Sequence, residues 1–321
     1  MKGVGRTLLV VIVLVAAFAP WLAPNPPDRQ FNTYFYAPPS RVHLFGGGGG
    51  PYFYPLRIVS RLERRFEEVR DHPVRIEWFN GPLVTSAEDD APLLLLGADS
   101  YGRDIFARLV YGSRASLGLA ALATLAAVLF GAAIGGIAGY AGGAVDELLS
   151  RFSDFVLVLP AIYVVLALRA VMPLVLPPGQ VFTLLAGIFA LVGWPVVARG
   201  VRGIIASERE REYVTAGRAA GAGPLRLLAV HLMPAARGYL LTQATLLLPA
   251  FILAEATLSY VGLGFPDSVP TWGTMLYNAS NVALVGEAPW MLAPAAAIFL
   301  VVLAVNLVVQ GSGRCPVQLE P

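Results

Sequence analysis

Among the side chains of this 321-residue chain, Glu255 stands out, because it is the only acidic residue within a long apolar segment. A carboxyl group at membrane depth is costly and usually faces protein or water, so it is a functional candidate by default. Thr245, Ile252 and Ser259 fall on the same face of a helix as Glu255. This face is expected either to serve a function within the membrane or to hydrogen-bond a neighbouring helix or subunit.

Several familiar catalytic patterns are missing from the sequence. The one lysine is Lys2, so no G-x-x-x-x-G-K-[ST] phosphate loop can exist. The histidines, His43, His72 and His231, are scattered and lack the H-E-x-x-H spacing of a zinc protease. The sequence also lacks a G-x-S-x-G nucleophile motif. We therefore predict no catalytic residues, no metal, no cofactor and no ATP hydrolysis by this chain.

The elements that must position Glu255 are membrane-spanning helices. The chain is 56% hydrophobic and 14% charged, with a mean hydropathy of +0.66, and it contains several apolar runs of the length that crosses a bilayer. A net charge of +2 gives no support to nucleic-acid binding.

The first run is longer than a signal-peptide core and ends at Trp21, so we predict a retained span. The six predicted spans are Thr7–Ala23, Ser116–Tyr140, Phe155–Met172, Val181–Ala198, Tyr239–Tyr260 and Met291–Gln310.

Arginine distribution predicts the orientation. The segment 199–237 contains seven arginines, whereas the short loops Pro173–Gln180 and Gly264–Pro289 contain no lysine or arginine. Positive loops stay in the cytoplasm, so both termini and 199–237 are predicted to be cytoplasmic. The fold class is therefore an all-α polytopic membrane protein, N-in and C-in, with a small extracytoplasmic insert between helices 1 and 2.

The insert is predicted to be a small α+β module. Leu56–Arg70 has the periodicity of an amphipathic helix, Val74–Phe79 alternates like a strand, and Gly46–Gly50 is typical of a flexible turn. After it, Asp104 is predicted to start a short helix, which either lies in the interface with Arg103, Arg108 and Arg114 facing lipid head groups or simply leads into the second span. Later features are a glycine stripe for helix packing (Gly131, Gly135, Gly139) and Trp272, expected to rim a gate or anchor at the interface.

The polar segment Ser207–Ala235, between two apolar runs, has helix signals of its own. Ser207 and Glu210 fit a capping box, which predicts a helix beginning at Ser207. The following residues are mostly small, so this helix could lie deep in a groove of another protein. Gly221 and Gly223 can end it, and Pro224 can begin a second helix. From these residues alone, a docking element and a partnerless surface loop both remain possible.

Three motifs carry a resemblance to a known family. Ala216, Gly221 and Pro234 keep the register of the cytoplasmic coupling loop of ABC importer permeases. LGADSYGRD (Leu96–Asp104) and EATLSYVGLG (Glu255–Gly264) with PTWGTML (Pro270–Leu276) resemble motifs of the oligopeptide, dipeptide and nickel branch. The resemblance covers about residues 90–310 and the first span.

The resemblance implies a multi-pass permease of the bacterial inner membrane. Its partners would be a second homologous permease, two cytoplasmic ABC ATPases, an extracytoplasmic solute-binding protein and membrane lipid. It implies an ATPase-coupling role for Glu212, Thr215, Ala216, Gly217, Gly221 and Pro234, and a translocation path containing Thr245, Glu255 and Ser259. The expected divisions are a first span (1–24), an insert (25–103), a transmembrane core (104–310) with coupling loop 199–237, and a tail (311–321).

Other functions remain open at this point. A stand-alone secondary transporter or channel could use Glu255 as a proton relay, but it would leave Ser207–Ala235 without a role. A membrane enzyme would need a paired acid/base or metal constellation in the spans, and the sequence offers none. A sensor or scaffold would use the insert to bind a ligand.

Overall fold

The structure is a computed structural model that describes residues 2–44, 50–60, 64–171, 173, 176–280 and 286–310. It is mostly helical and divides into two compact units, Met1–Gly118 with Glu255–Pro321, and Leu119–Ala254. The helices are α1 (Lys2–Ala17), α2 (Ala19–Leu22), α3 (Ile105–Ala141), α4 (Gly143–Val158), α5 (Ala161–Val171), α6 (Pro178–Glu208), α7 (Glu212–Ala219), α8 (Pro224–Arg226), α9 (Arg237–Tyr260), α10 (Trp272–Asn278) and α11 (Ala293–Gln310). The predicted tail, 311–321, lies outside the described residues.

Four helical stretches of the described chain are long and apolar enough to cross a membrane: Ile105–Ala141, Pro178–Glu208, Pro224–Tyr260 and Pro289–Val309. A fifth arises if Gly143–Val158 and Ile162–Val171, bent by 87°, form one span. Gly3–Ala17 is a shorter apolar helix. The polytopic helical class is therefore confirmed, whereas the count of six and the N-in/C-in orientation stay predictions.

The predicted third span is not one straight helix. Its first residues belong to α4, which ends at Val158, and the chain resumes as α5 at Ala161. Pro160 lies in the break, where its missing N–H and its ring are incompatible with a continuous helix. The predicted last residue, Met172, lies outside the described residues.

The insert consists of short antiparallel strands in the part that the structure describes. A four-stranded sheet has the order β1-β2-β5-β6, formed by Val42–His43, Tyr52–Phe53, Val74–Trp78 and Val84–Ser86, and a separate hairpin pairs β3 (Leu56–Ser60) with β4 (Arg65–Glu68). The first sheet closes over a core of Phe53, Val74, Ile76, Ala91 and Leu93. Of the predicted turn Gly46–Gly50, the first four residues lie outside the described part.

The helix predicted over Leu56–Arg70 is wrong, and the strand predicted over Val74–Phe79 is confirmed as β5. Ile58 pairs with Phe66 across the β3–β4 hairpin, and Arg64 turns the chain with φ +50°. A short segment with apolar residues at positions 58 and 66 satisfies a strand period as well as a helical one. The β-branched pair Ile58–Val59 and the cross-strand contacts favour the strand.

The glycine stripe of α3 packs against α6 within one unit. A Cβ built at Gly131 would lie 2.7 Å from the carbonyl oxygen of Trp194, and one at Gly139 would lie 2.6 Å from that of Arg202. Gly135 faces the backbone of Ala198 in the same way. Such distances leave no room for a side chain, so the predicted packing role is confirmed.

Candidate coupling surface and buried carboxylate

The polar segment begins later than predicted. Helix α6 continues through Ser207 to Glu208, and α7 starts only at Glu212 after Arg211 adopts an extended conformation. The helix start predicted at Ser207 is therefore wrong. Ile205 of α6 is fully buried, so packing extends that helix past the point where local capping would restart it.

The predicted end of this helix is confirmed at Gly221. Gly221 has φ +81°, its N–H donates to Arg218 O, and the N–H of Ala222 donates to Gly217 O, each at 3.0 Å. This pair of bonds is the Schellman pattern, in which a residue in the left-handed region satisfies the last carbonyls of a helix. Pro224 then begins α8, as predicted.

The chain returns to α9 through three further helical geometries. The α8 turn is followed by a π-helix at Leu227–Leu232 and a 3-10 helix at Met233–Ala236, before α9 begins at Arg237. Pro234 lies in the 3-10 helix and is half-buried, so it is not part of α7. The predicted coupling residues therefore divide between two elements.

One face of α7 is buried in an apolar cluster. Val214 is fully buried there. Its companions come from α6 and from the return segment, and they are Val197, Val201, Ile205, Leu227, Leu232 and Ala236. Helix α7 thereby packs against the return segment and shares this apolar cluster with α6, to which the chain also joins it.

The other face of α7 is open. Glu212, Thr215 and Ala216 are exposed, and Gly217 is half-buried, with a built Cβ 3.0 Å from Leu227 Cδ2. The structure thus brings these four predicted residues onto one short helix with Gly221 at its end. Small exposed side chains allow another surface to approach the backbone of α7 closely.

Three arginines, which we call the arginine clasp, tie this region to other helices of the same unit. Arg202 on α6 binds both carboxylate oxygens of Asp146 on α4, with Nη2 and Oδ2 2.6 Å apart. Arg209 Nη1 donates to carbonyls at the end of α3, including Tyr140 O at 3.4 Å. The Arg218 guanidinium of α7 lies 5.8 Å from the centroid of the Tyr140 ring. Sequence reasoning missed the clasp because its partners lie more than 50 positions away along the chain.

Glu255 on α9 is fully buried and has several hydrogen-bond donors around it. Ser259 Oγ and Thr271 Oγ1 donate to its Oε1 at 2.8 and 2.9 Å, and Ser116 Oγ donates to Oε2 at 3.2 Å. The N–H of Gly273 also donates to this carboxyl group. In this conformation Glu255 holds the loop before α10 against α3 and α9.

The neighbouring Trp272 strengthens this attachment. Its N–H donates to Ser116 Oγ and its indole Nε1 donates to Leu109 O, both at 3.1 Å, and its side chain is buried. Anchoring of Trp272 at a lipid interface is therefore wrong.

Thr245 lies ten positions before Glu255 on α9, where its hydroxyl donates to Thr242 O at 2.8 Å.

The motif before α3 forms a buried ion-pair network. Arg103 Nε donates to Asp99 Oδ2 at 2.7 Å and Nη1 to Asp267 Oδ2 at 2.8 Å, while Arg108 Nη2 donates to Asp267 O at 3.1 Å. Both arginines are at most 3% exposed, so the prediction that they face head groups is wrong, although Arg114 is exposed. Sequence spacing could not reveal Asp267, which lies 164 positions from Arg103.

Asp104 begins a helix as predicted, but this helix is not short, because it continues through the predicted second span as the 37-residue α3. Its Oδ1 accepts from the N–H of Phe106 at 2.9 Å, and its Oδ2 accepts from Asn25 Nδ2 at 2.8 Å. Burial raises the pKa of Asp104 to about 6, against the lowering effect of these hydrogen bonds. Asn25 also donates to Leu93 O, so Asp104 connects α3 to the insert.

The long apolar helices of the described residues define a polytopic membrane protein. Residues 131–314 match the family model described as binding-protein-dependent transport system inner membrane component. Residues 4–39 match the N-terminal TM domain of oligopeptide transport permease C. The chain belongs to this family of permeases, in its peptide branch, and is a multi-pass inner-membrane protein.

Individual relatives agree with the family match. The chain is 33% identical over 308 residues to the di/tripeptide transport system permease protein DppC of Pseudomonas aeruginosa, covering 96% of this chain and 84% of the relative. It is 36% identical over 309 residues to the oligopeptide transport system permease protein OppC of Bacillus subtilis, covering 96% and 82%. The resemblance stated from the motifs is therefore confirmed.

Proposed function

We propose that this chain is the membrane-spanning permease subunit of an ATP-driven importer for peptides or related small solutes. It pairs with a second homologous permease to form the translocation path. Two separate cytoplasmic ABC ATPases bind the segment around α7, and an extracytoplasmic solute-binding protein delivers the cargo. The names of the relatives support the cargo class, and the arginines of 199–237 support a cytoplasmic α7.

This proposal rests on the contrast between the two faces of α7, one of which is buried while the other is open. Val214 fixes one face to α6 and the return segment, while Thr215 and Ala216 leave the opposite face open at low side-chain bulk. An ATPase that binds the open face and moves α7 would also shift the apolar cluster that α7 shares with α6 and the return segment. The arginine clasp extends the same displacement to α3 and α4. Coupling then means that the nucleotide state of the ATPases and the state of the solute path both shift the same conformational equilibrium of the permease.

The test is co-purification of the ATPases with variants that add bulk to the open face. In Ala216→Trp the ring projects from the exposed side of α7. Ala235→Trp is the matched control, since it makes the same substitution at an exposed alanine of the same segment off α7. Gly221→Trp is less suitable because a side chain at φ +81° also strains the backbone.

We expect ATPases to co-purify with the wild type and Ala235→Trp and to be lost from a folded Ala216→Trp. Equal recovery with both variants would show that α7 is not the docking element. Solute uptake driven by a proton gradient without any ATPase would instead support the secondary-transporter alternative based on Glu255.

A further inference from the structure

The hairpin loop between β5 and β6 exposes large apolar side chains. Trp78 and Phe79 are 53% and 78% exposed, and Leu83 is also exposed. The whole stretch from Trp78 to Ala87 carries no charged residue. Exposed aromatic residues in an uncharged loop mark an interaction surface rather than a solvated turn.

One hydrogen bond fixes this loop to the end of the first apolar helices, and a second closes the loop on itself. The N–H of Leu83 donates to Trp21 O at 2.5 Å, and the N–H of Phe79 donates to Leu83 O at 3.2 Å. Trp21, in α2, is itself 66% exposed, and its ring centroid lies 5.7 Å from that of Phe18. The loop and the end of the first helical segment therefore present one aromatic patch, which we define as Phe18, Trp21, Trp78, Phe79 and Leu83.

The packing of α1 indicates the depth of this patch. Helices α1 and α11 lie side by side, and a Cβ at Gly5 would lie 2.9 Å from Ala304 O and Leu307 Cβ, near the C-terminal end of α11. The two helices are therefore antiparallel. From Gly5, α1 runs for 12 residues to Ala17, about 18 Å, and Trp21 follows in α2 after a turn at Phe18. It is then level with the opposite end of the candidate span Pro289–Val309, where the hydrocarbon gives way to head groups.

The polar groups of the loop are compatible with a lipid interface. Asn80 Nδ2 donates to Glu77 Oε2 at 2.7 Å, and Thr85 Oγ1 donates to Pro24 O at 3.3 Å. Phe79 has φ +58°, a conformation uncommon for a bulky residue, although Gly81 stands two positions away. A glycine at position 79 would adopt this backbone conformation with less strain than phenylalanine does. The chain nevertheless places an aromatic ring at the tip of the loop.

We propose that the aromatic patch inserts into the bilayer and anchors the four-stranded sheet of the insert to the membrane surface. The partner is the phospholipid interface, because the patch is continuous through Trp21 with a helix that packs beside a membrane span. Tryptophan and phenylalanine side chains favour this zone, at a depth of about 5–10 Å into the boundary between head groups and acyl chains. The inference does not depend on the transported cargo or on the ATPase partners.

Site-specific fluorescence in nanodiscs tests this directly on the full chain within its complex. Cys315→Ser removes the one native cysteine, and Phe79→Cys then receives an environment-sensitive fluorophore. Val59→Cys is the matched control, because Val59 is 51% exposed on the other sheet of the insert. Trp78→Cys serves as a second probe with ordinary strand geometry. Two quenchers are used separately. The first is a lipid that carries a nitroxide near its head group, and the second is iodide in the aqueous phase.

We expect lipid-borne nitroxide to quench the label at 79 several-fold more than at 59, and iodide to show the reverse order. Iodide quenching at 78 and 79 without lipid quenching would overturn the proposal by placing the loop in water. A label at these positions that neither quencher reaches would also overturn it, since a protein partner would then cover the patch.

Discussion

Replacing Glu255 by methionine should release the loop before α10. Methionine keeps the length of the side chain but offers no strong acceptor to the four donors around it. Two of these donors have another acceptor within reach. The Ser259 hydroxyl can bond the backbone carbonyl one turn back, and Thr271 Oγ1 already lies 3.3 Å from Thr274 Oγ1. The Ser116 hydroxyl and the N–H of Gly273 lose their acceptor.

The magnitude follows from these two stranded donors. Each buried donor left without a partner costs about 1–3 kcal/mol, so the free energy of local opening should fall by at least about 2 kcal/mol. That decrease corresponds to a roughly thirtyfold rise in the open population. Glu255→Gln retains one acceptor oxygen and should cost less than Glu255→Met. Thr245→Val should cost little, since its hydroxyl bonds only a carbonyl of its own helix among its described contacts.

Hydrogen exchange of the α10 amides, Trp272–Asn278, measures this opening in the assembled transporter in nanodiscs. The reasoning requires faster exchange in the order Thr245→Val, Glu255→Gln, Glu255→Met. Unchanged α10 exchange in Glu255→Met, with the variant still folded, would refute the anchoring role. Faster exchange throughout α9 as well would show general destabilisation instead.

Three further outcomes can be measured. Gly139→Leu should destabilise the protein by about 1–3 kcal/mol in thermal unfolding, because a Cβ there would lie 2.6 Å from Arg202 O. Gly187→Leu should not, because a Cβ there would have no atom of another described element within 4 Å. Arg202→Gln breaks a partly exposed pair with Asp146, so it should cost about 1 kcal/mol or less but lower solute uptake per ATP hydrolysed; unchanged stoichiometry would exclude the clasp from coupling. Burial would raise the pKa of Asp267, but hydrogen bonds to a buried arginine hold it below the ordinary value. Its ionised form therefore adds stability above about pH 4 that is lost as pH falls through the lowered pKa, and Asp267→Asn should flatten that acid limb of the unfolding profile.

The sequence correctly predicted those helix starts and ends that are determined by residues at the same place in the chain. Asp104 caps α3 through its own side chain, Gly221 ends α7 because its backbone is left-handed, and Pro224 starts a helix where no N–H is needed. The apolar runs predicted most of the long helices for the same reason, since length and composition alone permit a helix to cross a bilayer.

Apart from the β3–β4 hairpin, whose strands are close in the chain, tertiary contacts decided the elements that were predicted wrongly. Arg103 and Arg108 have the composition of a head-group contact, but Asp99 and Asp267 supply counter-charges inside the protein. Ser207 has a good capping partner, but the burial of Ile205 keeps it inside α6. In each case tertiary packing outweighs a local preference of about 1 kcal/mol, which no single-sequence pattern can anticipate.

The two ends of the coupling segment differ in a way that bears on how force enters the membrane core. On one side α6 is continuous for 31 residues, and Arg202 and Val214 tie it to α4 and α7. On the other side the chain passes through a helical turn, a π-helix and a 3-10 helix within 13 residues before α9 begins. Each change of helical geometry replaces the i→i−4 bond pattern, so this return segment can change length more easily than α6 can. We therefore expect the return segment, against which α7 packs, to deform when α7 is displaced, and the continuous α6 to carry the displacement into the membrane with less distortion.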